Sequence, residues 1–109
     1  QSSIGYARAL KNEVDSLDSQ IEDLKNSGCK VIFSELLGIK EIEKPQLKNA
    51  LDYLSKGDEL VITQFDRAFV SQDECIFTLT KLMNKGIRFR TLSGFLSTNY
   101  SIEIIVSSL

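Results

Sequence analysis

Gly57-Asp58-Glu59-Leu60-Val61-Ile62-Thr63-Gln64-Phe65-Asp66-Arg67-Ala68-Phe69-Val70-Ser71 is the stretch from which the fold is read. Leu60, Val61 and Ile62 form a short unbroken apolar run after a Gly-Asp turn, the pattern of a strand covered on both faces in a parallel sheet. That strand is expected in the middle of the sheet. Past its carboxyl end come Asp66 and Arg67, adjacent opposite charges on a short connection, and Ser71 then opens a helix with Glu74 three residues on, a capping box. Open α/β sheets usually keep their polar chemistry at the carboxyl ends of such strands.

Outward from this stretch, strands and helices alternate. On the amino side, Ser3 to Ala9 reads as the first strand, Leu10 to Asp15 as a polar loop, and Asp15 or Ser16 as the cap of a helix. That helix carries Leu17, Ile21 and Leu24 on one face and stops at Ser27-Gly28. Val31 to Phe33 make a second strand, Ser34 to Lys44 a long loop, and Pro45 the first turn of a helix reaching Ser55. On the carboxyl side, the helix from Ser71 to Lys85 is expected to bury Ile76, Leu79, Thr80 and Met83. Ile87 to Leu92 reads as a fourth strand, with Arg88 and Arg90 on a solvated face at the sheet edge. A last helix starts near Tyr100 and lines up Ile102, Ile105, Val106 and Leu109 on one apolar stripe. The alternation implies an α/β, three-layer fold: a central, mostly parallel sheet of about four strands, helices on both faces, and the last helix projecting from the body.

Composition narrows the function classes. With 109 residues the chain makes one domain, and 42% apolar with 26% charged residues is the balance of an ordinary soluble globular protein. No segment is long and apolar enough to span a membrane. Gln1 to Ser3 are polar and lead straight into a strand, so a cytoplasmic protein is the default expectation. Cys29 and Cys75 are isolated and there is no histidine, so neither a zinc set nor a disulfide framework forms; both read as buried small residues. A net charge of −2 gives no general pull toward nucleic acid, so any grip on DNA must come largely from elsewhere.

Several ordered motifs carry a family resemblance. They are Ile4-Gly5-Tyr6-Ala7-Arg8-Ala9, Ser16-Leu17-Asp18-Ser19-Gln20, Gly28-Cys29, Lys44-Pro45-Gln46-Leu47 and Ala50-Leu51-Asp52-Tyr53-Leu54. Lys56-Gly57-Asp58-Glu59-Leu60-Val61, Phe65-Asp66-Arg67 and Gly86-Ile87-Arg88-Phe89-Arg90 continue the set. In order and spacing they resemble the resolvase/invertase family of serine recombinases, over nearly the whole chain. The resemblance implies a catalytic domain over 1–99 and the start of a long dimerisation helix over 100–109. It also implies a helix-turn-helix or similar DNA-binding module beyond Leu109. The implied partners are DNA, mainly through that further segment, and a second copy in a homodimer or higher homo-oligomer, with Ile102, Ile105, Val106 and Leu109 at the contact.

What the resemblance implies chemically is cutting and rejoining of DNA through a phosphoseryl intermediate, without metal or nucleotide cofactor. An activated hydroxyl attacks the phosphodiester in line, and arginines neutralise the charge spreading over the phosphate oxygens. Arginine suits this because its planar fork grips phosphate oxygens bidentately and keeps its charge. Arg8 and Arg67 match two active-site arginines, Asp66 the acid beside the second, and Gln20 the glutamine at the start of the first helix. The bland alternative for Asp66 and Arg67, a surface ion pair of little worth, weakens once Arg8 ends the neighbouring strand.

The departures are as informative as the matches. Where the family pattern places the serine nucleophile, this chain has Leu10, which cannot form a phosphoester. Ser16 and Ser19 read as cap and solvent face rather than as replacements. Gly38 and Lys44 occupy altered site positions, and Lys44 keeps a charge but loses the fork; Val70 replaces a further arginine. The leading expectation is therefore a recombinase-type domain for site-specific DNA recombination that is catalytically impaired, a pseudoenzyme. Two alternatives stay open: an active recombinase with an altered or misaligned nucleophile, and an unrelated flavodoxin-like binding domain. The latter would want acidic residues where the first strand ends in Arg8.

Overall fold

A computed structural model describes residues 2–38, 43–69 and 71–93, except the Asp66 side chain. The strands are β1 (Ser3–Leu10), β2 (Val31–Leu37), β3 (Glu59–Ile62) and β4 (Arg88–Thr91). The helices are α1 (Val14–Asn26), α2 (Pro45–Tyr53), the single turn α3 (Phe65–Ala68) and α4 (Gln72–Asn84). The sheet order is β2-β1-β3-β4 and every pairing is parallel. The fold is thus α/β as expected, with β1 and β3 in the middle. Among the described residues no helix is long and apolar enough to cross a membrane.

Strand alternation divides the core into two layers. Ile4, Tyr6, Leu60, Ile62 and Phe89 pack against Leu47 of α2 and Cys75, Leu79 and Leu82 of α4. Ala7, Ala9 and Val61 meet Leu17 and Leu24 of α1 on the other face. Small residues on the α1 face let that helix sit close. A Cβ on Gly5 would come 3.1 Å from Leu24 Cδ1 and 3.3 Å from Ile32 Cγ1, so the glycine is a spacing requirement. Gly28, with φ +99°, provides the left-handed stop of α1.

Several expected boundaries move, each for a tertiary reason. Helix α1 begins at Val14 with Glu13 as its N-cap, not Asp15 or Ser16. Glu13 N–H donates to Leu10 O (2.8 Å) and Leu10 N–H to Glu13 Oε1 (3.3 Å), so the chain turns into the helix directly from the strand. Strand β2 runs on to Leu37 because β1 extends to Leu10 and pairs with it residue by residue, which shortens the expected 34–44 loop. Helix α2 ends at Tyr53 rather than Ser55, since Leu54 turns extended at ψ 137°. Asp66 and Arg67 lie on the expected short connection, which folds as the single turn α3.

Helix α4 shows the sharpest correction. Its buried face is Cys75, Thr78, Leu79 and Leu82, whereas Ile76 is half-buried, Thr80 is exposed and Met83 is 44% exposed. Both sets have helical spacing and share Leu79; the sequence favours the more apolar one, and the packing against Phe89 and Ile62 selects the other. Ser71 does cap this helix, accepting from Glu74 N–H at 3.1 Å, while the Glu74 carboxylate turns to Lys44. At the β4 edge Arg88 is exposed as expected, and Arg90 pairs with Glu59 at 3.1 Å. Cys29 and Cys75 are both buried free thiols. The expected helix from Tyr100, with Ile102, Ile105, Val106 and Leu109, lies outside the described residues, as does Val70.

Candidate functional site

The carboxyl ends of β1 and β3 bring Arg8, Gln20 and Arg67 together. Alternation places Arg8 on the same side of β1 as Tyr6 and Leu10. The α3 turn holds Arg67 beside it. That turn is closed by Arg67 and Ala68 N–H donating to Gln64 O (3.3 and 3.2 Å), and it is anchored by buried Ala68 and Phe69. The Phe65 and Phe69 rings both lean on Phe89, with centroids 5.7 and 6.4 Å away. Arg8 Nε donates to the Arg67 carbonyl at 2.9 Å, which links the strand end to the turn.

Gln20 is the hinge of the site. It is 4% exposed, and its Nε2 donates to Arg8 O at 2.9 Å while Oε1 accepts from Arg8 N–H at 3.4 Å. The same oxygen lies 3.4 Å from the Thr63 hydroxyl, which donates to it. One buried amide thereby ties α1 to the ends of both central strands, satisfying backbone groups that the sheet leaves unpaired. Arg67 Nη1 donates to Ser16 Oγ at 2.6 Å and Arg67 Nε to Gln64 Oε1 at 3.3 Å. Ser16 is therefore a partner of the guanidinium and not a helix cap. Glu13, Ser16, Ser19, Gln20, Thr63 and Arg67 line a polar cavity of about 430 Å³ here.

Lys44, with its side chain 8% exposed, forms an ion pair with Glu74. Gly38 follows directly on the end of β2, and Leu10, half-buried, closes β1 without an oxygen on its side chain. Asp66 contributes its backbone to α3. Among the described residues no group of three His, Cys, Asp or Glu could hold a metal ion.

Sequence reasoning missed Glu35. Its buried carboxylate accepts from Tyr6 Oη at 2.5 Å, Gln46 N–H at 3.1 Å and Leu47 N–H at 3.2 Å. It thus supplies, from the neighbouring strand, the anion that the N-terminus of α2 needs, and so fixes the segment that carries Lys44. The Tyr6 phenol is pushed far above its ordinary value, first by burial and then by its hydrogen bond to Glu35. An acid inside the apolar run Val31 to Leu37 was the available signal.

Comparison with known proteins shows the family of the chain. The family model described as "Resolvase, N terminal domain" matches residues 3–107. The chain is 35% identical over 96 residues to a DNA-invertase of Enterobacteria phage P7, covering 88% of this chain and 51% of that protein. It is 36% identical over 96 residues to the serine recombinase gin of Escherichia phage Mu, covering 88% and 49%. It is 31% identical over 96 residues to the DNA-invertase hin of Salmonella typhimurium, covering 88% and 50%. The chain spans about half the length of these curated relatives.

Proposed function

Because the chain belongs to the resolvase N-terminal domain family of serine recombinases, we propose that it serves as the recombinase-type domain of a protein for site-specific DNA recombination, with phosphoseryl chemistry lost. The supporting observation is Leu10 at the end of β1, two residues from Arg8, whose Nε donates to the Arg67 carbonyl. In this reading Arg8 and Arg67 face the phosphate, Asp66 accompanies Arg67, and Gln20 is a positioning residue that holds the Arg8 backbone. Lys44 is spent on Glu74, and Val70 offers no guanidinium, so the cationic pocket is weakened together with the nucleophile. The domain runs over 1–99, with 100–109 opening a dimerisation helix through Ile102, Ile105, Val106 and Leu109. DNA contact comes mainly through a segment beyond Leu109, and the working form is a homodimer or higher homo-oligomer in the cytoplasm.

The test is a covalent protein-DNA adduct, read on a denaturing gel with labelled supercoiled and nicked substrate. The expected result is none from the unmodified chain and none from Leu10→Ser, because residues that act as a unit are not restored singly. Adding Lys44→Arg and Val70→Arg to Leu10→Ser gives at most a trace. Efficient cleavage by Leu10→Ser alone would show that the pocket is intact. An adduct from the unmodified chain would overturn the impaired reading. The observation that favours the alternative, an active recombinase with an altered nucleophile, is the Ser16 hydroxyl 2.6 Å from Arg67 Nη1, and loss of such an adduct in Ser16→Ala would identify the nucleophile.

A further inference from the structure

On the opposite side of the sheet from α1, helices α2 and α4 leave between them a groove of about 510 Å³, separate from the polar cavity at the strand ends. Its walls are Leu47, Leu51 and Leu82, and Phe77 stands at its rim 62% exposed. An aromatic ring left this open on a helix is the kind of anchor that binding surfaces use. The rim is basic. Lys44, Lys48, Lys81 and Lys85 line the groove against Asp52 and Glu74, an excess of two positive charges in a chain whose net charge is −2.

Lysine stems extend apolar surface while their ammonium groups stay in water. Lys81 Nζ lies 4.5 Å from the Phe77 ring centroid, and Lys85 Nζ reaches Leu51 O at 3.3 Å, bridging the two helices. Lys44 is neutralised by Glu74 at one end, so the excess charge falls on Lys48, Lys81 and Lys85. Among the described residues no arginine lines the groove, and Leu47, Leu51 and Leu82 make its walls apolar beside Thr78. That favours an apolar, acidic protein ligand over a phosphate backbone, which would gain nothing from the leucines.

We infer that the α2–α4 groove is a docking site for an acidic amphipathic helix of a partner protein. The walls are helices of nine and thirteen residues, and the shorter spans about 13 Å at 1.5 Å per residue, so two to three turns of ligand fit. Apolar residues at helical spacing on the ligand enter between Leu47, Leu51 and Leu82 and cover Phe77. Glutamates or aspartates flanking that stripe meet Lys48 on one wall and Lys81 and Lys85 on the other.

The experiment titrates the isotopically labelled chain with a synthetic helical peptide bearing leucines at i, i+3, i+4 and i+7 and glutamates elsewhere. A second peptide carries lysines in place of the glutamates. Amide shifts confined to α2 and α4 are expected with the acidic peptide, and binding at least tenfold weaker with the basic one. Phe77→Ala and the pair Lys48→Glu with Lys81→Glu are each expected to weaken binding at least tenfold. All three side chains are exposed and unneeded by the core, so unchanged circular dichroism melts keep the result interpretable. Equal binding of both peptides, shifts elsewhere, or no binding at millimolar peptide would overturn the proposal. Displacement of the acidic peptide by duplex DNA with matching shifts on α2 and α4 would reassign the groove to nucleic acid and overturn it equally.

Discussion

Replacing Glu35 by glutamine tests how α2 is attached to the sheet. The carboxylate is 8% exposed, and its Oε2 accepts from Tyr6 Oη and Leu47 N–H while Oε1 accepts from Gln46 N–H. An amide of the same shape keeps one acceptor. Its best orientation puts the oxygen at the Oε2 site, which leaves its NH2 group facing the Gln46 N–H. A buried donor left without a partner costs about 1–3 kcal/mol, and the two surviving bonds lose their charge assistance. Removing the anion from the helix N-terminus costs roughly 0.3–1 kcal/mol more. Relief of the carboxylate's own desolvation offsets part of this, so the net loss expected is about 2 kcal/mol. For a domain of this size that lowers the melting midpoint by roughly 8–16 °C. Urea denaturation followed by circular dichroism measures it, and Tyr6→Phe completes a double-mutant cycle. The coupling expected is about 1 kcal/mol, the difference between a charged and a neutral hydrogen-bond acceptor for the phenol. Glu35→Gln unfolding within about 0.5 kcal/mol of the parent, with additive effects in the cycle, would refute the assignment of Glu35 as the anchor of α2.

Two further outcomes follow from the same contacts. Gln20→Ala should destabilise the fold by about 1–3 kcal/mol in urea titration, because the Arg8 carbonyl and N–H at the end of β1 lose their partner; an unchanged midpoint would make the amide incidental. The Cys75 thiol, fully buried, is pushed up to about 11 by desolvation, from 9.0, with Glu74 adding to the shift. The folded chain therefore keeps a proton that the unfolded chain releases, and stability is intact below about pH 9 and falls as pH rises from 9 toward 11. The parent should lose more stability across that window than Cys75→Ala, and Cys75 should resist thiol reagents until the chain unfolds; equal losses in both proteins would contradict the buried, protonated thiol.

The order of strands and helices, the central place of Leu60 to Ile62 and the gathering of Arg8, Gln20 and Arg67 were legible in the sequence. Local chemistry carries those signals: an apolar run with turn residues on either side, a glycine stop at Gly28, and a serine that caps its helix at Ser71. The family resemblance supplied the candidate site residues, because the ordered spacing of motifs runs through the whole domain. What the sequence left open depended on groups far apart in the chain. β2 reaches Leu37 only because β1 lies beside it to Leu10. Helix α4 turns Cys75 and Thr78 inward and leaves Met83 outside, since two stripes of equal spacing are separated only by what they meet across the interface. Glu35 looks like an error inside a strand until Tyr6, twenty-nine residues away, and the N-terminus of α2 close over it. Tertiary structure decides such cases because burial makes an unpaired polar group expensive, so the fold settles where distant donors and acceptors meet.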